Sequence, residues 1–205
     1  MQQLQTTQSA CDCLANDPIM AKLMDTIGPL SYALSDNQFT GLASTIIGQQ
    51  LSNKVASVIW GRLHTYLEGN VTPDSVLAAD AASLRALGIS YAKIRYIKDL
   101  AEHVKDGRLV FDELPTMADD DVMKKLTAVK GIGQWTAEMY MIFALGRKDI
   151  FSLGDASLQG AIQSLYGVAG KTSLIELSDK WQPYRSIASL YLWAYIDQDI
   201  QSLWA

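Results

Sequence analysis

Cysteine is nearly absent from this 205-residue chain, which has two, Cys11 and Cys13. One residue apart near the N-terminus, they suit neither a disulfide framework nor a zinc site, and no second ligand pair exists. They read as incidental reduced thiols. An apolar run of bilayer length is missing, and so is a basic N-terminal segment followed by a hydrophobic stretch. The expected location is therefore the cytoplasm, or the nucleus in a eukaryote, with no membrane partner. Surplus positive charge is lacking too: 17 Lys and Arg stand against 22 Asp and Glu, for a net charge of −5. That balance argues against holding nucleic acid by massed lysines. Any DNA-binding reading must find other phosphate contacts. No internal repeat, low-complexity tract or linker stands out, and the run Leu109–Phe111, which could be a strand, has no convincing partner.

What is there is helical pattern. Apolar residues make up 49 % and charged residues 19 %, an ordinary globular balance. Val55, Val58, Ile59 and Leu63 recur at helical spacing, as do Ile94, Ile97 and Leu100. Thr72-Pro73-Asp74 reads as a helix start with proline at its first position. Thr116 followed by Asp119 reads as a variant capping box before Val122, Leu126 and Val129, and the acidic run Asp119–Asp121 as a solvated helix start. Gly88 and Gly107 look like terminators. His64 and His103 have no evident partner in the sequence and read as structural. These signals give an all-α protein of roughly ten helices with short connections.

The stretch Val129–Ala137, VKGIGQWTA, superficially matches the dinucleotide fingerprint G-x-G-x-x-G/A. That fingerprint needs a preceding strand and a small third residue. Here Thr136 holds the third place and an amphipathic helix precedes the turn, so a nucleotide fold is disfavoured. The alternative is a helix–hairpin–helix, in which Gly131 and Gly133 permit a tight turn. The unpaired N–H groups of the next helix, from about Gln134, would then face a phosphate without needing a lysine. Lys130, Arg147 and Lys148 could add local charge. A plain connection between two packed helices stays open on the turn alone. The helix Trp135–Leu145 is apolar on nearly every face except at Glu138, which predicts burial. Further on, Asp155 in SLGDASL reads from the residues as the N-cap of a helix Ala156–Tyr166.

Residues 126–158, LTAVKGIGQWTAEMYMIFALGRKDIFSLGDASL, resemble the helix–hairpin–helix and Gly/Pro-Asp signature of the HhH-GPD DNA glycosylase superfamily. The tryptophan after GIG-x and the KD-I-F…D pattern resemble its 3-methyladenine DNA glycosylase II branch (bacterial AlkA, yeast Mag). FTGLASTIIGQQLSNKVA (39–56) and WQPYRSIASLYLWAY (181–195) resemble two further segments of that branch, so the resemblance spans about residues 35 to 195. The chain is too short for the extra N-terminal β-rich domain of AlkA, and the compact yeast-like form is the one it resembles. Leu153 stands where the family usually has proline. Met139 stands where AlkA has an aromatic residue lining the base pocket.

The resemblance implies one two-lobed helical HhH-GPD domain over 1–205. A helical bundle lobe spans about 35–115, and a lobe with the hairpin motif 116–146 is completed by the N- and C-terminal helices. It implies a DNA N-glycosylase that flips an alkylated purine of the 3-methyladenine type from damaged double-stranded DNA and hydrolyses its glycosidic bond, starting base excision repair. Asp155 matches the catalytic aspartate, a role compatible with capping because a helix start suits negative charge. Such a carboxylate can stabilise the sugar cation formed as the base leaves. Trp135, Met139, Tyr140 and Trp193 fall at or near base-pocket positions, where aromatic faces would hold an electron-poor base; the lesser alternative is that Trp135 and Trp193 are ordinary core residues. Gln50 matches the wedge that fills the gap left by the flipped base, with Leu51 its neighbour by chemistry. Ser52, Lys54, Lys130, Gly131, Ile132, Gly133 and Gln134 would contact the DNA backbone.

Trp135 occupies the place of the lysine nucleophile of bifunctional relatives, so a monofunctional, water-using enzyme without lyase activity is expected. No cofactor is required on this reading. An iron–sulfur cluster is not expected, because it needs four cysteines in a set spacing. A sodium or potassium ion at the hairpin, held by the carbonyls of Thr127, Val129 and Ile132, is what the family implies. The chain is expected to act as a monomer, nucleoid-associated in a bacterium. A non-catalytic helix–hairpin–helix DNA-binding protein and a glycosylase of different base specificity are the alternatives, with Asp155 arguing against the first.

Overall fold

A computed structural model describes residues 3–34 and 38–197 of the chain. Contacts divide it into two compact units, Met1–Leu34 with Met141–Ala205, and Ser35–Tyr140. The architecture is all-α apart from one small ladder. The first unit opens with β1 (Gln3–Gln5), α1 (Gln8–Leu14), α2 (Pro18–Ile27) and β2 (Ser31–Ala33). The strands pair antiparallel with Leu4 opposite Tyr32. Strands of three residues carry no readable alternation, which hides them in the sequence. Asp17 caps α2: its Oδ1 accepts the N–H groups of Ile19 and Met20, and Pro18 sits at the first turn, where a missing N–H costs nothing. Its Oδ2 accepts the Tyr166 hydroxyl and the Trp181 indole N–H, both at 3.0 Å.

The second unit contains α3 (Gln38–Gly48), α4 (Asn53–Tyr66), α5 (Pro73–Ala78), α6 (Ala81–Ala86), α7 (Tyr91–Lys105), α8 (Asp119–Thr127) and the start of α9 (Gln134–Phe143). Its core joins α3, through Phe39, Leu42, Ala43, Ile46 and Ile47, to α7, through Ile94, Ile97 and Leu100, all buried. The stripe read on α4 is only half used. Ile59 and Leu63 are buried, whereas Val55 and Val58 are 45 % and 48 % exposed. Helical spacing identifies such a stripe without saying which part of it meets a partner. Thr72 and Ser75 form the full capping box of α5, and Gly88 and Gly107 end α6 and α7 at φ +103° and +70°. Two expectations fail between α7 and α8. Phe111–Thr116 is a 3-10 helix and not a strand, and Thr116 donates to the Glu113 carbonyl instead of capping α8. α8 begins after Ala118 without a side-chain cap, its first turn carrying Asp119, Asp120 and Asp121, charges that favour a helix start.

The first unit resumes with α10 (Ala156–Tyr166), α11 (Lys171–Asp179) and α12 (Arg185–Asp197). α12 is buried nearly all round, from Ser186 to Leu192 and again at Ala194 and Tyr195, and packs against α2 and α10. The hairpin segment belongs with Ser35–Tyr140, not with the N- and C-terminal helices as the lobe boundaries from sequence have it. The bonds that hold it to α7, described next, are the reason. No helix among the described residues is long and apolar enough to cross a membrane.

Candidate nucleic-acid interface and acid site

Within the Ser35–Tyr140 unit, α3 ends in a tight turn, closed by the Leu51 N–H on the Gly48 carbonyl at 3.1 Å. Gln50 at its tip is exposed and holds φ +57°. The left-handed region costs a residue with a Cβ roughly 1–2 kcal/mol, so surrounding bonds must enforce it. They are visible. The Lys93 ammonium donates to the carbonyls of Ile47 and Gln49 at 2.8 and 2.7 Å. Leu51 is half-buried, Lys54 is exposed, and Ser52 caps α4 through the Val55 N–H.

The hairpin from Val129 to Gly133 is fixed from beneath by α7. Asp99 accepts the Lys130 backbone N–H on Oδ2 at 2.8 Å and faces the Lys130 ammonium at 3.2 Å on Oδ1. Burial alone would raise the Asp99 carboxyl. The Lys130 N–H and ammonium outweigh it and hold the group below its ordinary value. His103 does have partners, contrary to its reading from sequence. The Arg108 guanidinium, which can only donate, meets Nε2 at 2.9 Å, so Nδ1 carries the hydrogen to the Asp99 carbonyl at 2.8 Å. Lys130 therefore has its N–H turned into the protein, while its exposed ammonium pairs with Asp99 at the surface.

The two glycines differ in purpose. Gly131 holds φ +86°, and a Cβ there would run into the Tyr96 ring; its carbonyl accepts from Gln49 Nε2 at 2.8 Å. Gly133 needs no unusual φ and has nothing within 4 Å of a built Cβ. It leaves space in front of the first turn of α9, where a helix presents N–H groups without intrahelical acceptors. Ile132 donates its N–H to the Val129 carbonyl at 3.1 Å, and the Thr127 side chain is exposed. The structure thus brings the Gln50 turn and the hairpin together through the Gln49–Gly131 bond.

Trp135, at the start of α9, is 46 % exposed, which removes the core reading for this tryptophan. Met139 is half-buried. Tyr140 is buried, its hydroxyl donating to Gln38 Oε1 at 2.6 Å and its phenol pushed well up by burial. Glu138 is buried and accepts from Gln134 Nε2 at 2.8 Å.

The acid lies in the other unit. Asp155 caps α10 and is 8 % exposed. Its Oδ1 accepts the Leu158 N–H at 2.9 Å and the Trp193 indole N–H at 3.4 Å. Trp193 is half-buried and stacks obliquely on Phe143, ring centroids 5.7 Å apart. The segment leading to Asp155 is latched to the start of α12. Arg185 grips Asp149 with Nε and Nη2 at 2.9 and 3.0 Å, and Ser186 bonds both the N–H and the carbonyl of Ile150. Leu153, which replaces the usual proline, accepts Gln159 Nε2 on its carbonyl at 2.7 Å. The sequence carried a signal for this latch in the Arg-Ser of the tail. Lys93, Tyr96 and Asp99 left none, since their partners lie tens of residues away. No group of metal-ligating side chains occurs among the described residues.

Comparisons with known proteins place the fold in a family. The model of the HhH-GPD superfamily base excision DNA repair proteins matches residues 43–183. A Bacillus halodurans DNA-3-methyladenine glycosidase structure superposes with TM-score 0.88 at 40 % identity, covering 95 % of this chain and 92 % of that one. A Schizosaccharomyces pombe 3-methyladenine DNA glycosylase in complex with abasic DNA gives TM-score 0.79 at 28 % identity, covering 91 % and 96 %. The Bacillus subtilis protein YfjP is 37 % identical over 162 residues, 74 % of this chain, and the chain spans 56 % of its length.

Proposed function

Because the chain belongs to the HhH-GPD superfamily of base excision DNA repair proteins, we propose that it is a monofunctional N-glycosylase that removes alkylated purines from duplex DNA. The observation that carries this reading is Asp155, a buried carboxylate with Oδ1 held by a backbone N–H and an indole N–H. Capping α10 accounts for the Leu158 bond alone; the indole donor of Trp193 on the same oxygen is a contact that a cap does not need and an acid held for chemistry does. The similarity to 3-methyladenine glycosylases of B. halodurans and S. pombe supports the substrate class.

An N3-alkylated adenine is cationic and already a good leaving group. The C1′–N bond breaks with its electron pair going to the base, and the sugar becomes an oxocarbenium-like cation. The Asp155 carboxylate stabilises that cation and orients a water, whose oxygen bonds to C1′ as one of its protons passes to that carboxylate and on to solvent. Little general acid is needed. The exposed Trp135 ring offers a face for the extruded, electron-poor base, and Met139 is a softer, adaptable neighbour. Gln50 enters the gap left in the stack. The N–H groups of Gly133 and Gln134 and the side chains of Ser52 and Lys54 hold backbone phosphates, with a monovalent cation on the Thr127, Val129 and Ile132 carbonyls as the expected aid. Trp135 has no amine for a Schiff base, so hydrolysis and not strand scission follows.

The test is to incubate the chain with dimethyl-sulfate-treated duplex DNA, identify the released bases, and repeat with borohydride. Release of 3-methyladenine without a trapped covalent adduct is expected. An adduct would overturn the monofunctional assignment, and no release would leave a DNA-binding protein.

A further inference from the structure

One residue that no sequence motif singles out bonds the backbone of the Gln50 turn. Lys93 lies in the first turn of α7, half-buried, with its ammonium on the last carbonyls before Gln50. Burial lowers its pKa, yet the group is kept where two carbonyls meet. A lysine so placed is a helix C-cap in its simplest role. Two observations ask more of it. The residue immediately after the bonded Gln49 carbonyl is Gln50 itself, in the left-handed region at φ +57° without being glycine. The Gln49 side chain meanwhile reaches the Gly131 carbonyl of the hairpin, and the hairpin rests on Tyr96 and Asp99 of the same helix. One side of α7 therefore carries the support of both DNA-facing loops, Lys93 under the turn and Tyr96 and Asp99 under the hairpin.

We infer that Lys93 is a positioning residue: it holds the Gln49–Gln50 turn in the conformation that aims Gln50 into the base stack, in fixed register with the hairpin. This rests on the reading of Gln50 as the wedge. The Lys93 ammonium is engaged by the protein's own carbonyls. It acts by holding two carbonyls so that the strained tip is already formed before binding.

The experiment compares affinity for a duplex bearing a tetrahydrofuran abasic analogue with affinity for the same undamaged duplex, for wild type, Gln50→Ala, Lys93→Met, Lys93→Arg and the Gln50→Ala/Lys93→Met pair. Unfolding midpoints are measured alongside. Lys93→Met should cut the preference for the abasic duplex about tenfold and leave undamaged binding within about twofold. Lys93→Arg should recover most of the preference. The double variant should be no worse than Gln50→Ala alone, because Lys93 acts through Gln50. A preference unchanged in Lys93→Met, or losses that multiply in the double variant, would overturn the inference. A Gln50→Ala variant with full abasic preference would instead remove the wedge reading and the inference with it. Absence of any DNA binding by the wild type would remove the functional reading first. Should Lys93→Met lose its helical circular dichroism, Lys93→Gln enters the same comparison under the same criteria.

Discussion

The indole N–H of Trp193 and the backbone N–H of Leu158 converge on one oxygen of Asp155, at 3.4 and 2.9 Å. The Trp193 ring and its N–H can therefore be tested apart. Replacing Trp193 with Phe keeps the aromatic surface and removes the donor. Single-turnover excision should fall several-fold to about tenfold, the scale of one ordinary hydrogen bond and fitting for a contact as long as 3.4 Å, while binding to abasic DNA changes little. Equal loss of both would assign Trp193 to packing alone.

Gly131 and Gly133 separate stability from binding. Gly131→Ala forces a Cβ into the Tyr96 ring at φ +86° and should destabilise by about 2–4 kcal/mol, read from denaturant melts. Gly133→Ala meets nothing within 4 Å in the free protein and should melt within about 1 kcal/mol of wild type. Its methyl would stand in front of the α9 start, so its affinity for duplex DNA should drop about tenfold or more.

Asp99 makes the hairpin acid-sensitive. Its carboxyl is held below the ordinary value while buried against Lys130 and His103, with Arg108 bonded behind the imidazole. A group depressed on folding contributes stability that is present above the unfolded value, near 3.9, and is lost as pH falls through the folded value. Between about pH 4 and pH 2 the wild type should therefore lose stability more steeply than Asp99→Asn. Parallel acid limbs for the two proteins would show that the Lys130 contacts contribute nothing.

The latch before Asp155 is a fork. Arg185 meets both oxygens of Asp149, and its Nη2 also donates to the Asp149 carbonyl at 3.1 Å. Arg185→Lys keeps the charge and loses the fork, at a cost of roughly 1 kcal/mol given the partial exposure of the pair. Because the segment ends at Asp155, excision should suffer more than binding to undamaged duplex, which the ratio of the two measures.

What the sequence disclosed and what it hid follow from range. Asp155, Gly131 and Thr72 were legible because a cap or a left-handed turn is decided by residues within three or four positions. Gly88 and Gly107 ended their helices for the same reason. The fold class followed from many such local agreements. Lys93 and Asp99 act on residues 46 and 31 positions away, and nothing local marks a lysine or aspartate in α7 as different from its surface neighbours. Thr116 misled because a 3-10 turn ending in Pro115-Thr116 competes for the same hydroxyl. Trp135 and Trp181 show the limit of composition. One is 46 % exposed at the start of α9 and the other fully buried, and residue type alone does not separate them.

On the proposed function, Asp155 is the residue that makes a hydrolase of this helical fold. Single-turnover release of 3-methyladenine from methylated duplex DNA, measured for wild type and Asp155→Asn alongside abasic-DNA affinity, tests it most directly. The expected result is a loss of about 100-fold or more in excision by Asp155→Asn with affinity nearly retained. Excision at an unchanged rate in a folded Asp155→Asn protein would contradict the account.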